Sequence, residues 1–310
     1  MEMSLRFKYN GNMLILLSNQ IFRTFLDYLH LQRMISILPQ DISTAKLHGY
    51  LLGSIVPRPI AFASTIDEDG NVNLSPFSFF NVFSANPPIL IFSPARRVRN
   101  NTTKHTLENV LQNKEVVINI VSYDMVQQMS LSSTEYAKGI NEFEKAGFTE
   151  VASSLVAPPR VGESPVQFEC KVNEIIELGT EGGAGNLIIC EVVKLHIDES
   201  ILDDDGKIDA VKLDAVARMG GNWYNRAKEG MFEVPKPLST LGIGVDALPK
   251  EVRQSTILTG NDLGMLANVE ALLIEENSFV NATEEIHKLA QQKLLEGNVS
   301  EAWELLLNDG

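Results

Sequence analysis

The chain has 310 residues, 44% apolar and 21% charged, which describes an ordinary globular protein long enough for one full core with substantial extensions. Its 26 Lys and Arg stand against 40 Asp and Glu, a formal charge of -14 that repels phosphate backbones and excludes nucleic acid as a partner, so an anionic ligand needs a local cationic pocket. No run of about 18 apolar residues occurs, so no membrane span is expected. Cys170 and Cys190 have neither metal nor dithiol spacing and are expected as buried thiols of a cytoplasmic protein.

Near the start, Met13-Leu14-Ile15-Leu16-Leu17 behind Arg6 and Lys8 superficially resembles a signal peptide, but the run is too short and no small-residue cleavage site follows. Ile21, Phe25, Tyr28 and Leu29 fall at helical spacing, so an amphipathic helix is expected there, and Met34 is a second candidate start. Pro39, Asp41, Ser43 and Thr44 interrupt any apolar period and read as a polar connection. Gly49 and Gly53 around Tyr50-Leu51-Leu52 read as a turn into the main domain, and His48, with no second ligand at metal spacing, as a surface side chain.

Residues 57–94 organise the rest. An apolar strand over 60–66 reaches Asp67-Glu68-Asp69-Gly70, a strong hairpin signal, and returns through Asn73-Leu74-Ser75-Pro76-Phe77-Ser78-Phe79-Phe80-Asn81. Pro76 cannot donate to a ladder, so the chain is expected to leave regular pairing there. Freed amides beside hydroxyls and aromatic rings suit a planar heteroaromatic ligand with polar edges. The same pattern also fits an edge strand with a bulge and core phenylalanines. After Asn86-Pro87-Pro88, a strand over 88–92 ends at Pro94.

The densest cationic stretch follows: Arg96-Arg97-Val98-Arg99-Asn100-Asn101-Thr102-Thr103-Lys104-His105-Thr106. Thr102 or Thr103 can cap a helix whose apolar face is Leu107, Val110 and Leu111. Free amides at that helix start, with hydroxyls and Lys104 or Arg99 nearby, make a phosphate site, the pocket that the net charge requires. A solvated basic loop ahead of a capped helix is the alternative.

A buried strand is expected over 115–121, a helix from Tyr123-Asp124-Met125 toward Ser130, and a short helix over 141–146 stopped by Gly147. Strands over 166–178 and 186–197 are joined across Gly182, Gly183 and Gly185, which lack dinucleotide-binding spacing. In Asp203-Asp204-Asp205-Gly206 the glycine comes too early for a calcium loop, so a solvated turn is expected. The five histidines form no zinc set, and no serine sits in a nucleophile elbow. In Arg218-Met219-Gly220-Gly221-Asn222-Trp223-Tyr224, the glycines allow close backbone approach and Arg218 could meet an anionic group; Trp223 and Tyr224 equally fit a subunit interface. Pro235, Pro237, Gly242, Gly244 and Pro249 read as a linker. Thr283-Glu284-Glu285-Ile286 starts a helix stopped by Gly297, and Ser300 can cap a last helix bearing Trp303, Leu306 and Leu307.

Arg58-Pro59-Ile60-Ala61, Ser64-Thr65, the Asp-Gly turn, the run from Asn73 through Phe80, Asn86-Pro87-Pro88, and Lys104-His105-Thr106 with Asn109 together resemble the flavin reductase-like family of FMN-binding split barrels. That family includes flavoredoxins and the reductase components of two-component monooxygenases. The resemblance spans roughly residues 45–235. It implies a mainly β fold with peripheral helices: a six-stranded antiparallel split barrel over 45–235, after a helical extension at 1–44 and before a C-terminal helical arm at 236–310. It also implies a homodimer with FMN at the interface.

The cofactor-binding set implied by the residues and the resemblance together is Arg58, Ser64, Thr65, Ser75, Ser78, Phe79, Phe80, Asn81, Arg99, Lys104, His105, Thr106 and Arg218. Lys104 and Thr106 match the family's usual Lys-Asp-Thr, which commonly holds the flavin phosphate, while His105 replaces the acid. No catalytic side chain is assigned and no metal is expected. The activity implied is hydride transfer from NADH or NADPH to FMN, with electrons passing to a monooxygenase or another acceptor. Such chemistry resides in the cofactors and needs no catalytic triad. Two alternatives stay open: an FMN-holding electron carrier or storage protein without nicotinamide activity, and a dimeric binding module for another planar anion such as a pyridoxal phosphate or haem derivative.

Overall fold

The computed structural model describes residues 6–9, 12–15, 34–234, 236, 241–271, 280 and 283–307, which fall in two units, 1–231 and 232–310. In the first, β1 (Arg6–Tyr9) and β2 (Asn12–Ile15) pair as an antiparallel hairpin. The helix expected from Ile21, Phe25, Tyr28 and Leu29 lies outside the described residues.

The main sheet holds β3 (Ala61–Ile66), β4 (Val72–Phe77), β5 (Phe80–Ala85), β6 (Pro88–Phe92), β7 (Glu115–Asn119), β10 (Val166–Glu177) and β11 (Asn186–Ile197), in the order β4-β3-β7-β10-β11-β6-β5. Short ladders join β8 (Glu150–Val151) to β9 (Arg160–Val161) and β12 (Val216–Arg218) to β13 (Tyr224–Arg226). β4 and β5 are edge strands on opposite sides of this order, yet only Ser78 and Phe79 separate them in the chain. Laid flat, seven strands would hold the two edges roughly 29 Å apart, whereas three virtual bonds reach at most about 11 Å. The sheet is therefore rolled until its edges meet: a split barrel, open along the β4–β5 seam.

That closure corrects two expectations. The return run over 73–81 is two strands, giving seven where six were expected. Pro76 stays within β4, opposite Phe62, because an edge strand tolerates a missing N–H; pairing is left two residues later, at Ser78. The hairpin itself is as expected. The Asp67 carboxylate accepts from the amides of Asp69 and Asn71 at 3.0 and 2.8 Å, and Gly70 takes φ +85°.

Alternation along β3 sends Ala61 and Ala63 into one core and Phe62 into another. Helix α2 (His105–Asn113) buries Leu107 and Val110 against the first, each contributing about 1.5–3 kcal/mol. The helix is also pinned to β3: the Asn109 side-chain amide donates to Thr65 Oγ1 at 3.1 Å, and that of Asn113 to the Ile66 carbonyl at 2.6 Å. The start of α2 is thereby fixed beside β4. Cys170 and Cys190 are buried, unpaired thiols in the same core, where desolvation pushes both thiols up.

Helix α1 (Thr44–Ser54) stands where a turn was expected around Gly49 and Gly53. The Ser43 hydroxyl accepts from the Lys46 amide at 3.3 Å and starts it. Gly53 lies inside this helix instead of at a turn, and the close approach there is made by Gly220, whose added Cβ would lie 3.2 Å from the Gly53 Cα. Helices α3 (Val126–Leu131) and α4 (Glu142–Ala146) follow as expected, α4 capped by Asn141 and ended by Gly147 at φ +71°. After α5 (Ala210–Leu213) come β12 and β13.

The second unit contains α6 (Lys250–Arg253), α7 (Gly260–Ala267), α8 (Glu284–Leu295) and α9 (Val299–Leu306). Expected as an arm, it has a core of its own, including Val252, Leu266, Ala290, Leu294, Trp303 and Leu306, with Trp303 Nε1 donating to the Leu266 carbonyl at 3.1 Å. Thr283 caps α8, but Ser300 lies inside α9, whose cap is Asn298. Among the described residues, no helix is long and apolar enough to cross a membrane, and no group of three or more His, Cys, Asp or Glu could hold a metal ion.

Candidate functional site

The cationic stretch owes its path to the glycines of the β10–β11 link. A Cβ on Gly182 would lie 3.0 Å from the Val98 carbonyl, so glycine lets the two backbones meet without a shift of either, and Gly183 donates to the Arg96 carbonyl at 2.9 Å. Asn101 donates across to the Thr180 carbonyl at 3.0 Å. Inside the loop, Arg96 bonds the Asn101 side chain at 2.6 Å, and Arg97 Nη1 bonds the Thr102 hydroxyl at 2.8 Å and the Thr103 carbonyl.

The loop delivers the chain to α2 with Lys104 as N-cap and no capping side chain. The hydroxyls expected as caps are turned elsewhere: Thr103 donates to Glu108 at 2.6 Å and Thr102 to Asn100 at 2.9 Å. The amides of His105 and Thr106 consequently have no acceptor among the described residues. The positive end of the helix dipole faces the same way.

These groups front a small polar void of about 20 Å³, bounded by Asn73 and Ser75 of β4, by Lys104, His105 and Thr106, and by Arg97, residues 133–136 and Glu142. Asn73 donates to Thr106 Oγ1 at 2.8 Å, tying β4 to α2. Glu142, 4% exposed, accepts from the Leu74 amide at 2.9 Å and so seals part of the β4 edge; burial pushes its carboxyl up and that hydrogen bond opposes the shift. Burial lowers the Lys104 ammonium, Arg97 and Arg99 push it the same way, and Glu135 opposes them. The Lys104 ammonium has no ion pair or hydrogen bond among the described residues, although the backbone carbonyl of Lys104 accepts from the Leu107 amide at 2.9 Å. A wider, open cleft of about 510 Å³ adjoins the void and shares Arg97, His105, Glu135 and Tyr136 with it.

Four of the anticipated residues thus converge: Ser75, Lys104, His105 and Thr106. Arg99 is nearby but exposed and ion-paired to Glu135. A second group forms at the barrel seam. Arg58 is buried and donates through Nη1 to the Leu52 and Ile55 carbonyls at 2.7 and 2.6 Å, through Nη2 to the Met219 carbonyl at 3.1 Å, and through Nε to Ser78 Oγ at 3.3 Å. Arg218, bridged to Arg58 through the backbone, lays its guanidinium over the Tyr224 ring at 4.6 Å. Phe79 is part-exposed, edge-on to His48 at 6.5 Å, and Asn81 accepts from the Val82 amide.

Three of the anticipated residues face inward. Phe80 packs on the barrel core, Thr65 is buried under Asn109, and Ser64 is fully buried with no partner for its hydroxyl among the described residues. Sequence reasoning did not single out Glu135, Tyr136 or Glu142, which α3, α4 and their connection bring to the void from 30 or more residues away in the chain. An unpaired ammonium, two open helix amides and two hydroxyls form a donor set that fits a phosphate group.

Comparisons with known proteins bear on the family and the fold. Residues 52–212 match the family model described as flavin reductase like domain. An uncharacterised protein of Aquifex aeolicus is 39% identical over 181 residues, 58% of this chain and 90% of its own length. The structure of nitrilotriacetate monooxygenase component B from Bacillus cereus is similar at 30% identity and TM-score 0.61, covering 65% of this chain and 98% of that one. A Shewanella frigidimarina protein with a split barrel domain is similar at 26% identity and TM-score 0.55, covering 66% of this chain and 100% of that one.

Proposed function

This chain belongs to the flavin reductase-like family, and from that premise we propose that it binds FMN and reduces it with NADH or NADPH. The observation that carries this reading is the convergence of Lys104, Thr106 and Ser75 on one polar void at an uncapped helix start. Lys104 and the amides of His105 and Thr106 hold the phosphate, with Ser75 as a further donor. The seam at residues 78–81 offers backbone amides and the Phe79 ring to the flavin edge and face. FMN, when bound, supplies the hydride-accepting ring. Arg58 acts one step away, fixing the seam through Ser78. Arg218, its face covered by Tyr224, is the cation for a nicotinamide phosphate.

A homodimer belongs to the same proposal. No residue of α1 is buried, and β5 leaves Val82 and Phe83 each 63% exposed, so both elements present apolar surface that a second copy would cover. Reduced flavin then serves a monooxygenase component or another acceptor in the cytoplasm.

Titration of the purified protein with FMN, followed by flavin fluorescence, tests the site. Lys104→Ala should weaken binding by about 1–3 kcal/mol, roughly 5- to 150-fold, with riboflavin binding unchanged. Steady-state oxidation of NADH and NADPH with FMN tests the reaction. FMN binding without turnover would leave an electron carrier or storage protein, and a colourless protein indifferent to FMN would turn attention to another planar anion.

A further inference from the structure

Glu135 lies where the phosphate cradle meets the open cleft, and its carboxylate does what an incoming anion would do. Its Oε1 is 3.3 Å from Arg97 Nε and its Oε2 pairs with Arg99 Nη2. It also attracts the Lys104 ammonium, which Arg97 and Arg99 repel. The contact with Arg97 is electrostatic only. The Nε–H is buried and makes no aligned hydrogen bond among the described residues, so a two-oxygen carboxylate leaves a donor unsatisfied that a three-oxygen phosphate group could take.

Space points the same way. The void bounded by Lys104, Thr106 and Ser75 is about 20 Å³, room for one water and not for a phosphate group, whereas the adjoining cleft offers about 510 Å³. Glu135 and Tyr136 belong to the walls of both. A phosphate that reaches Lys104 must take over the arginines that Glu135 occupies, and the side chain must swing away. With a carboxylate side chain 41% exposed, such pairs are weak enough to exchange.

We propose that Glu135 is an internal competitor for the phosphate cradle: its carboxylate closes the site over Lys104 by pairing with Arg97 and Arg99, and a phosphate monoester opens it by displacing that carboxylate. This rests on the reading of residues 104–106 as a phosphate site. It makes anion affinity a property of residue 135 as well as of the cations, and it selects ligands whose charge is concentrated enough to outcompete a carboxylate.

The test compares wild type with Glu135→Gln, titrated separately with inorganic phosphate, FMN and riboflavin and followed by heteronuclear NMR. Glutamine keeps the volume and removes the charge. Phosphate and FMN should each bind about five-fold tighter to the variant, with riboflavin unchanged. Glu135→Asp, which keeps the charge and draws it back by one methylene, should fall between the two and guards against a loosened loop in the Gln variant. Equal or weaker phosphate binding by E135Q overturns the proposal even if FMN binding to the wild type stands. If the wild type binds neither flavin while phosphate still tightens in E135Q, the competitor stands and the flavin reading falls.

Discussion

Two cations, 46 residues apart in an acidic chain, sit in opposite circumstances. At Arg58 the fold supplies an oxygen for Nε and for both terminal nitrogens: three carbonyls from α1, the residue after it and the β12–β13 hairpin, and the Ser78 hydroxyl at the seam. At Lys104 the fold supplies none among the described residues, and places Arg97 and Arg99 close enough to disfavour its charge. A buried donor whose partners all come from the chain is architecture. A half-buried cation that two arginines repel, one carboxylate attracts without a direct contact, and open helix amides adjoin is held at a cost that an anion removes. Counting acceptors separates the two roles where residue type and motif membership do not.

The sharpest way to break this comparison is to remove each cation in turn. Arg58→Ala leaves three carbonyls without their charged donor and should cost about 3 kcal/mol or more in thermal or denaturant unfolding. Arg58→Lys should recover only part, because an ammonium cannot reproduce the planar fork that reaches α1 and Met219 together. Lys104→Ala should do the reverse, leaving unfolding within about 0.5 kcal/mol of wild type while FMN affinity falls as given above. Equal destabilisation by both substitutions would erase the distinction.

A third cation sharpens it. Arg226 is matched by a carboxylate: it meets Asp214 at 2.8 and 2.6 Å, Lys228 adds a contact at 2.8 Å, and the Tyr123 ring lies 3.7 Å from the guanidinium. The side-chain bond from Arg226, with Lys228 assisting, brings the Asp214 carboxyl down to about 2. A depressed carboxylate contributes stability above its unfolded value, near 3.8, and loses it as pH falls toward 2. Asp214→Asn should therefore flatten the pH dependence of unfolding between about pH 4 and 2 and cost about 1 kcal/mol at neutral pH once solvent screening is allowed for.

What the sequence disclosed followed the range of the forces involved. The Asp67 to Gly70 turn and the helix between Asn141 and Gly147 were legible because one side chain and one left-handed glycine determine each within a few residues. The seam at Ser78 and Phe79 was not, because it exists only once seven strands have rolled up and brought β4 to β5. Motif resemblance singled out Lys104 and Thr106 but could not tell that Arg58, equally part of the motif, turns its donors inward. Glu135 and Glu142 had no local signal, and only the packing of α3 and α4 beside β4 carries them to the void.

The smallest expected effect tests the element that glycine spacing disguised as a turn. Gly49 lies inside α1, where an added Cβ would meet nothing within 4 Å and no left-handed φ is required, so Gly49→Ala should stabilise the helix by about 0.4–1 kcal/mol through lower unfolded-chain entropy and better propensity. The end of that helix is what Arg58 holds, through the Leu52 and Ile55 carbonyls. If the clamp is architectural, its loss frays α1, and the gain from alanine should shrink in an Arg58→Ala background. A double-mutant cycle measured by chemical denaturation reads that coupling directly. Full additivity would mean that α1 stands without Arg58, and the contrast between a cation that builds the fold and one reserved for a ligand would lose its first half.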